Sequence, residues 1–142
     1  MMKKYRGFTL LELLIVMTIL GLLASIVVPR FTNRINQARR LKVVLQIKNF
    51  SEALEHYYVE YGHYPNTQDG LRVLLQKGKS GQSYILSDRL PKDPWGQDYQ
   101  YLSPGLDNRD YDIVSYAADT KLGGIGWDAD IKSWNVDNEE IF

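Results

Sequence analysis

Residues 7–29 read GFTLLELLIVMTILGLLASIVVP, and from Phe8 to Val28 the only charged side chain is Glu12. At about 1.5 Å of rise per residue, a helix over this stretch is roughly 30 Å long, the thickness of a bilayer's hydrocarbon core. A carboxylate in such a helix costs about 2.5–3.5 kcal/mol on insertion scales, so it is usually retained because it meets a partner. Two readings of Glu12 stay open. It meets a partner, or it snorkels toward lipid headgroups, lying close to the start of the apolar run.

Working outward, the basic residues Lys3, Lys4 and Arg6 precede the run, which gives it the flavour of a secretory signal peptide. The run is longer than the usual apolar region of such a signal, and no A-x-A site follows it. A processing signal instead falls in front of it, at Gly7–Phe8. Charge alone leaves the topology ambiguous, because Arg30, Arg34, Arg39, Arg40, Lys42 and Lys48 follow the helix and outnumber the three cations before it. The remainder, residues 49–142, carries 8 basic and 16 acidic side chains, a balance of −8. An acidic head argues against nucleic acid as a partner.

With 142 residues and no cysteine, the chain has room for one modest domain beyond the apolar helix, and no disulfide, thiolate metal site or cysteine nucleophile. A head of roughly 80 residues buries only a small core, so a metal or oligomerisation is the expected staple.

Beyond Pro29 the apolar period continues at spacings of three and four through Ile35, Ala38, Leu41, Leu45, Ile47, Phe50, Leu54, Tyr57, Tyr58 and Tyr61, which predicts one apolar helix face. Arg34, Arg39, Arg40, Lys42 and Lys48 are expected on other faces, either pairing with acidic neighbours or lipid, or simply solvated. Gly62 and Pro65 end the helix. TQDGLRVLLQKG, residues 67–78, predicts a short second helix capped by Thr67, and KGKSGQS, residues 77–83, a loop. LPKDPWG, residues 90–96, predicts a turn with Trp95 buried as a lid. DYQYLS (98–103), YDIVSYA (111–117) and DIKSWNV (130–136) alternate in the manner of three short antiparallel strands.

Catalysis finds no support. His56 sits on the helix among aromatic residues and His63 in a turn, neither spaced to a nucleophile, and GGIG lacks the Lys-Ser/Thr of a phosphate loop. Between the last two strands, Asp119, Asp128 and Asp130 bracket a glycine-rich bend. They are either ordinary turn formers or hard oxygen ligands suited to calcium; the spacing is not that of an EF-hand.

The fixed register of Gly7, the aromatic Phe8, Glu12 and an apolar run closed by Pro29 resembles the leader and N-terminal helix of type IV pilins and type II secretion pseudopilins. YGHYPNTQDGLRVL, LPKDPWGQDYQYLSPG, YDIVSYAAD and GGIGWDADIKSW are similar, in order, to segments of the major pseudopilins of type II secretion, so the resemblance covers nearly the whole chain. It implies an α+β, pilin-like fold: a long N-terminal helix packed on a small antiparallel β-sheet head. It divides the chain into a leader (1–7), a transmembrane or fibre-core helix (8–29), its amphipathic continuation (30–61) and a periplasmic head (62–142).

The resemblance further implies that a membrane prepilin peptidase cuts after Gly7 and that the new N-terminal residue, Phe8, is methylated. The subunit would rest in the inner membrane by a single pass, head in the periplasm. It would then join a helical homo-oligomeric filament, working with minor pseudopilins, an inner-membrane assembly platform and an outer-membrane secretin. Glu12 then pairs with the Phe8 amine of a neighbouring subunit, and Pro29 lets the helix kink or stretch. Calcium would be held by Asp119 and Asp130 with backbone carbonyls near Tyr116 and Lys121. Two departures bear on this: Thr120 stands where a glycine is usual and Ile125 where an acid is common, with Asp128 as the compensating ligand. The alternative is a type IV pilin of a surface fibre used for adhesion, motility or DNA uptake. The lack of cysteine, the DPWG turn and the aspartate loop favour the pseudopilin.

Overall fold

The computed structural model describes residues 7–137, with the side chains of residues 27–31 excepted. The basic leader residues 1–6 and the side chains of Pro29 and Arg30 therefore lie outside the described residues. The elements are helix α1 (Leu10–Tyr61), a 3-10 turn (Gly70–Leu75), strands β1 (Gln100–Leu102) and β2 (Asp112–Ser115), a second 3-10 turn (Gly126–Asp128) and strand β3 (Ile131–Lys132). The chain divides into two units, Met1–Asn36 and Gln37–Phe142.

In the first unit, α1 presents large apolar side chains to its surroundings on every face: Leu10, Leu11, Leu13, Leu14, Ile15, Val16, Met17, Ile19, Leu20, Leu22, Leu23 and Ile26 are all exposed. No helix among the described residues is long and apolar enough to cross a membrane. The expected span reaches residue 29, where the side chains are not described.

In the second unit, the core gathers Val43, Val44, Ile47, Phe50, Ala53, Leu54 and Tyr57 of α1 with Leu71, Leu74, Ile113, Ile131 and Val136. The helix ends as its sequence predicts. Gly62 takes φ 77°, a left-handed conformation that glycine adopts without penalty, and its N–H donates to the Tyr58 carbonyl at 2.7 Å.

The buried face departs from the expected one at both ends of this stretch. Leu41, Leu45, Tyr58 and Tyr61 are exposed, whereas Val43, Val44 and Arg40 are buried, Arg40 to 3%. At about 100° per residue, Leu41 and Leu45 lie about 120° and 160° around the helix from Ile47, and Arg40 only about 20°. Leu41 and Leu45 therefore lie off the inner face, and Arg40 belongs to it.

The sheet has the order β1-β2-β3 and is antiparallel throughout, with Tyr101 opposite Ile113 and Ser115 opposite Ile131. Strands this short are stable only against another layer, and Ile113 and Ile131, both fully buried, supply that contact with α1's core residues. The predicted second helix is a 3-10 turn. Gly70, at φ 59°, starts it in a left-handed conformation that an α-helix cannot carry. Thr67 does not cap it. Its hydroxyl donates to the Ser103 carbonyl and accepts from the Ser103 N–H, both at 2.9 Å, tying this segment to the end of β1. Asn66 takes the local role, accepting the Asp69 N–H at 2.8 Å.

Trp95 is only half-buried; the deeply buried member of LPKDPWG is Asp93, 4% exposed. Its Oδ1 accepts the N–H groups of Trp95 (3.0 Å) and Gln97 (2.8 Å), and its Oδ2 accepts the Ser115 hydroxyl at 2.8 Å. One carboxylate thus folds the turn and fastens it to β2.

Candidate functional site

Two places bear the chemistry expected from the sequence. The first is the entry of α1. Phe8 is exposed, and nothing lies within 4 Å of a Cβ placed on Gly7, so the Gly7–Phe8 bond is open. Thr9 and Glu12 form a reciprocal cap. The Glu12 N–H donates to Thr9 Oγ1 (3.2 Å), while Glu12 Oε2 accepts from the Thr9 N–H (2.8 Å) and hydroxyl (3.0 Å). These bonds satisfy amides that the first helical turn leaves open, and the carboxylate sits at the positive end of the helix dipole. The T-x-x-E spacing of Thr9 and Glu12 in FTLLE is the sequence signature of this cap. One carboxylate oxygen is engaged locally, and Oε1 has no hydrogen bond to a described residue in this cap.

The second place is the loop between β2 and β3. Its backbone is repeatedly left-handed, at Ala117 (φ 52°), Thr120 (60°), Gly123 (105°), Gly124 (84°) and Gly126 (60°). Thr120 thus occupies a conformation that costs an L-residue about 1–2 kcal/mol and a glycine almost nothing. Gly124 is required by space as well: a Cβ there would come within 2.3 Å of the Asp128 carbonyl oxygen.

Of the three aspartates, Asp130 stands apart. Its side chain is 2% exposed, and Oδ2 accepts the Gly123 N–H at 2.9 Å with Lys132 Nζ at 3.8 Å. Its own N–H donates back to the Gly123 carbonyl at 3.1 Å. Oδ1 is buried and meets no hydrogen-bond donor among the described residues. An unsatisfied buried carboxylate oxygen costs free energy that a cation in contact with it would recover. Asp119 is half-buried and folds its own turn, Oδ1 accepting the Lys121 N–H at 3.1 Å. Asp128 is exposed in the 3-10 turn, Tyr116 half-buried and Lys121 exposed. Among the described residues, no three His, Cys, Asp or Glu side chains converge as a metal cage. A cation here would depend on two carboxylates and backbone carbonyls, a hard-oxygen set of the kind calcium takes.

Arg40 approaches this loop from α1. Its Nη1 donates to the carbonyls of Ala129 (2.9 Å) and Trp127 (3.3 Å), and burial pulls the pKa of the guanidinium below its ordinary value.

An apolar helix entered through a Thr-Glu cap, leading into a small three-stranded head, defines a pilin-like fibre subunit. Residues 2–28 match the family described as the prokaryotic N-terminal methylation motif, and residues 30–134 the family described as type II secretion system (T2SS), protein G. The chain belongs to the type II secretion system protein G family. It is 44% identical over 142 residues to the type II secretion system core protein G of Vibrio cholerae serotype O1, with 95% of each chain covered. It is 40% identical over 139 residues to that of Pseudomonas aeruginosa, covering 94% of this chain and 97% of that protein. Among solved structures it is similar to the major pseudopilin from the type 2 secretion system of enterohaemorrhagic Escherichia coli, with a TM-score of 0.61 and 33% identity over 75% of this chain and 92% of that one.

Proposed function

We propose that this chain is the structural subunit that polymerises into the periplasmic pseudopilus of a type II secretion system and so drives folded proteins across the outer membrane. The observation that carries this reading is the first half of α1, apolar and exposed on every face. Burying a Leu, Ile, Val or Met side chain is worth about 1.5–3 kcal/mol, so a dozen of them demand lipid before assembly and neighbouring helices after it. The family match favours a secretion pseudopilus over a surface pilin. The role is structural, with no reaction of its own.

Processing supplies the polar half of assembly. Cleavage at Gly7–Phe8 by a prepilin peptidase, followed by methylation of Phe8, places an ammonium at the positive end of the α1 dipole, where a cation is disfavoured. A carboxylate relieves it. In the filament that carboxylate is Glu12 of an adjacent subunit, released from or shared with its Thr9 cap. The subunit waits in the inner membrane with its head in the periplasm. Minor pseudopilins, the inner-membrane assembly platform and the outer-membrane secretin are its working partners.

The loop from Tyr116 to Asp130 is read as a calcium site, with Asp119 and Asp130 as carboxylate ligands, carbonyls near Tyr116 and Lys121 completing the set, and Asp128 outside it. The buried Asp130 Oδ1 supports this assignment. Calcium bound there supplies positive charge that satisfies this oxygen and closes the loop ahead of β3. Ligation of the native state alone raises stability by about 2.7 kcal/mol at a hundredfold excess over Kd.

Mass spectrometry of the chain extracted from cells with the peptidase tests the processing. The expected product begins at Phe8, carries one methyl group and has 135 residues, 142 less 7. An intact Met1 terminus would sink the proposal. For the metal, identical melting temperatures in calcium and in chelator would leave the aspartates as turn residues.

A further inference from the structure

We propose that Arg40 is the positioning residue of the β2–β3 loop: from the buried face of α1 it holds the segment that presents Asp130, and thereby sets how strongly the loop takes a divalent cation. The inference rests on reading that loop as a calcium site.

Besides the Lys132 ammonium, 3.8 Å from Oδ2, three contacts converge on the residues around Asp130. From behind, Arg40 Nη1 holds the Ala129 carbonyl at 2.9 Å and the Trp127 carbonyl at 3.3 Å. From the front of the loop, Gly123 exchanges a pair of bonds with Asp130, its N–H to Oδ2 at 2.9 Å and its carbonyl accepting the Asp130 N–H at 3.1 Å. From the side, Ile131 pairs with Ser115 across the sheet. The Gly123 contact belongs to the loop itself and moves with it. Arg40 and the sheet are the two anchors that do not, and Arg40 reaches the residue immediately before Asp130.

A buried arginine on α1 is an expensive way to fill space. The guanidinium is desolvated, and an apolar side chain of similar length would pack that position at less cost. Its return is a planar group whose donors suit two carbonyls of one short segment. The loop needs such a tether. Its left-handed residues give it no regular hydrogen-bond ladder, and of the 3-10 turn Gly126–Asp128 the Trp127 carbonyl meets α1, at Arg40, while the Gly126 carbonyl accepts the Ala129 N–H.

Two effects of the guanidinium on a nearby cation have opposite sign. Its charge repels calcium. Its hydrogen bonds fix the backbone next to Asp130, so that a bound ion does not have to order the loop. The second dominates here, because Nη1 donates to the Ala129 and Trp127 carbonyls beside Asp130 and leaves the Asp130 Oδ1 unsatisfied for the ion. The two effects separate experimentally. Arg40→Met removes charge and donors together and keeps the length of the stem; Arg40→Lys keeps the charge on a group that lacks the planar fork.

The test is calcium titration of the full-length processed chain in detergent, by calorimetry, with melting temperatures in chelator measured alongside. Arg40→Met is expected to weaken calcium binding tenfold or more, and Arg40→Lys at least threefold, at calcium concentrations where each variant is folded. If Arg40→Met fails to fold even with calcium, Arg40→Lys decides alone. Affinities within twofold of the parent in the folded variants, with only the chelator melting temperature lowered, make Arg40 a packing residue and overturn the proposal. Tighter binding by Arg40→Met overturns it too, since repulsion would then outweigh positioning. A parent chain that binds no calcium is a different failure: it removes the calcium reading of the loop, and this inference with it.

Discussion

Replacing Asp93 by alanine removes one acceptor group from three donors at once. Two are backbone N–H groups, of Trp95 at 3.0 Å and Gln97 at 2.8 Å; the third is the fully buried Ser115 hydroxyl at 2.8 Å. Leaving a buried donor unsatisfied costs about 1–3 kcal/mol. Trp95 is half-buried, so water reaches part of the turn, and the cost of desolvating the carboxylate itself is recovered. The net loss is then about 3 kcal/mol, a large share of a typical stability of about 5–15 kcal/mol. In melting temperature this is about 12–24 °C for a domain near a hundred residues. Asp93→Asn keeps an oxygen for the two N–H groups and lets the Ser115 hydroxyl turn and accept from the new amide, so its loss stays near about 1 kcal/mol. The assay is denaturant unfolding of the purified chain in detergent, followed by tryptophan fluorescence. An alanine variant within about 0.5 kcal/mol of the parent, or an asparagine variant as damaged as the alanine one, would refute the reasoning.

Helix phase has its own test: Ile47→Ala, at a fully buried position, should cost about 2–5 kcal/mol in the isolated subunit, while Leu45→Ala, which is exposed, should stay within about 0.5 kcal/mol; equal losses in chemical unfolding would contradict the observed face. At Asp112, burial pushes the carboxyl pKa up, but the Arg109 guanidinium (2.6 Å) and the Leu106 N–H (2.8 Å) pull it further down, to a net value below the ordinary one. Its stabilisation is therefore complete above the unfolded-state pKa near about 4 and is lost as pH falls through the lower folded value, so unfolding curves between about pH 2 and 6 should show a steeper acid loss in the parent than in Asp112→Asn. Gly124→Ala should loosen the β2–β3 loop, because its Cβ meets the Asp128 carbonyl oxygen at 2.3 Å and φ is 84°; unchanged tryptic cleavage after Lys121 would argue against that.

Much of this was legible because period and punctuation are local. The helix stop at Gly62 follows from one residue's backbone freedom, and the three strands from alternation against a buried face. The misreadings came where a local signal had two solutions. Counting Leu41 and Leu45 into the inner face followed apolar character, when the angular position of Ile47 already placed Arg40 inside. Thr67 has the right chemistry for a cap, yet Ser103, 36 positions away in sequence, offered both a donor and an acceptor. Asp93 hid in a turn motif in which tryptophan drew the eye; only the tertiary fold brings Ser115 to it. At the candidate sites, the Thr9–Glu12 spacing was readable and overlooked. The burial of Asp130 and the tether from Arg40 depend on contacts that no sequence window contains.

The central claim is that this chain polymerises through its apolar helix and Glu12. It is tested most directly by producing the chain together with its secretion machinery, shearing the cells, and examining the released fraction by electron microscopy and mass spectrometry. The expected result is fibres built of the chain beginning at Phe8, nearly absent when Glu12 is replaced by alanine although the variant is still cleaved and retained in the membrane. A correctly processed parent chain that yields no fibres from cells producing that machinery would contradict it.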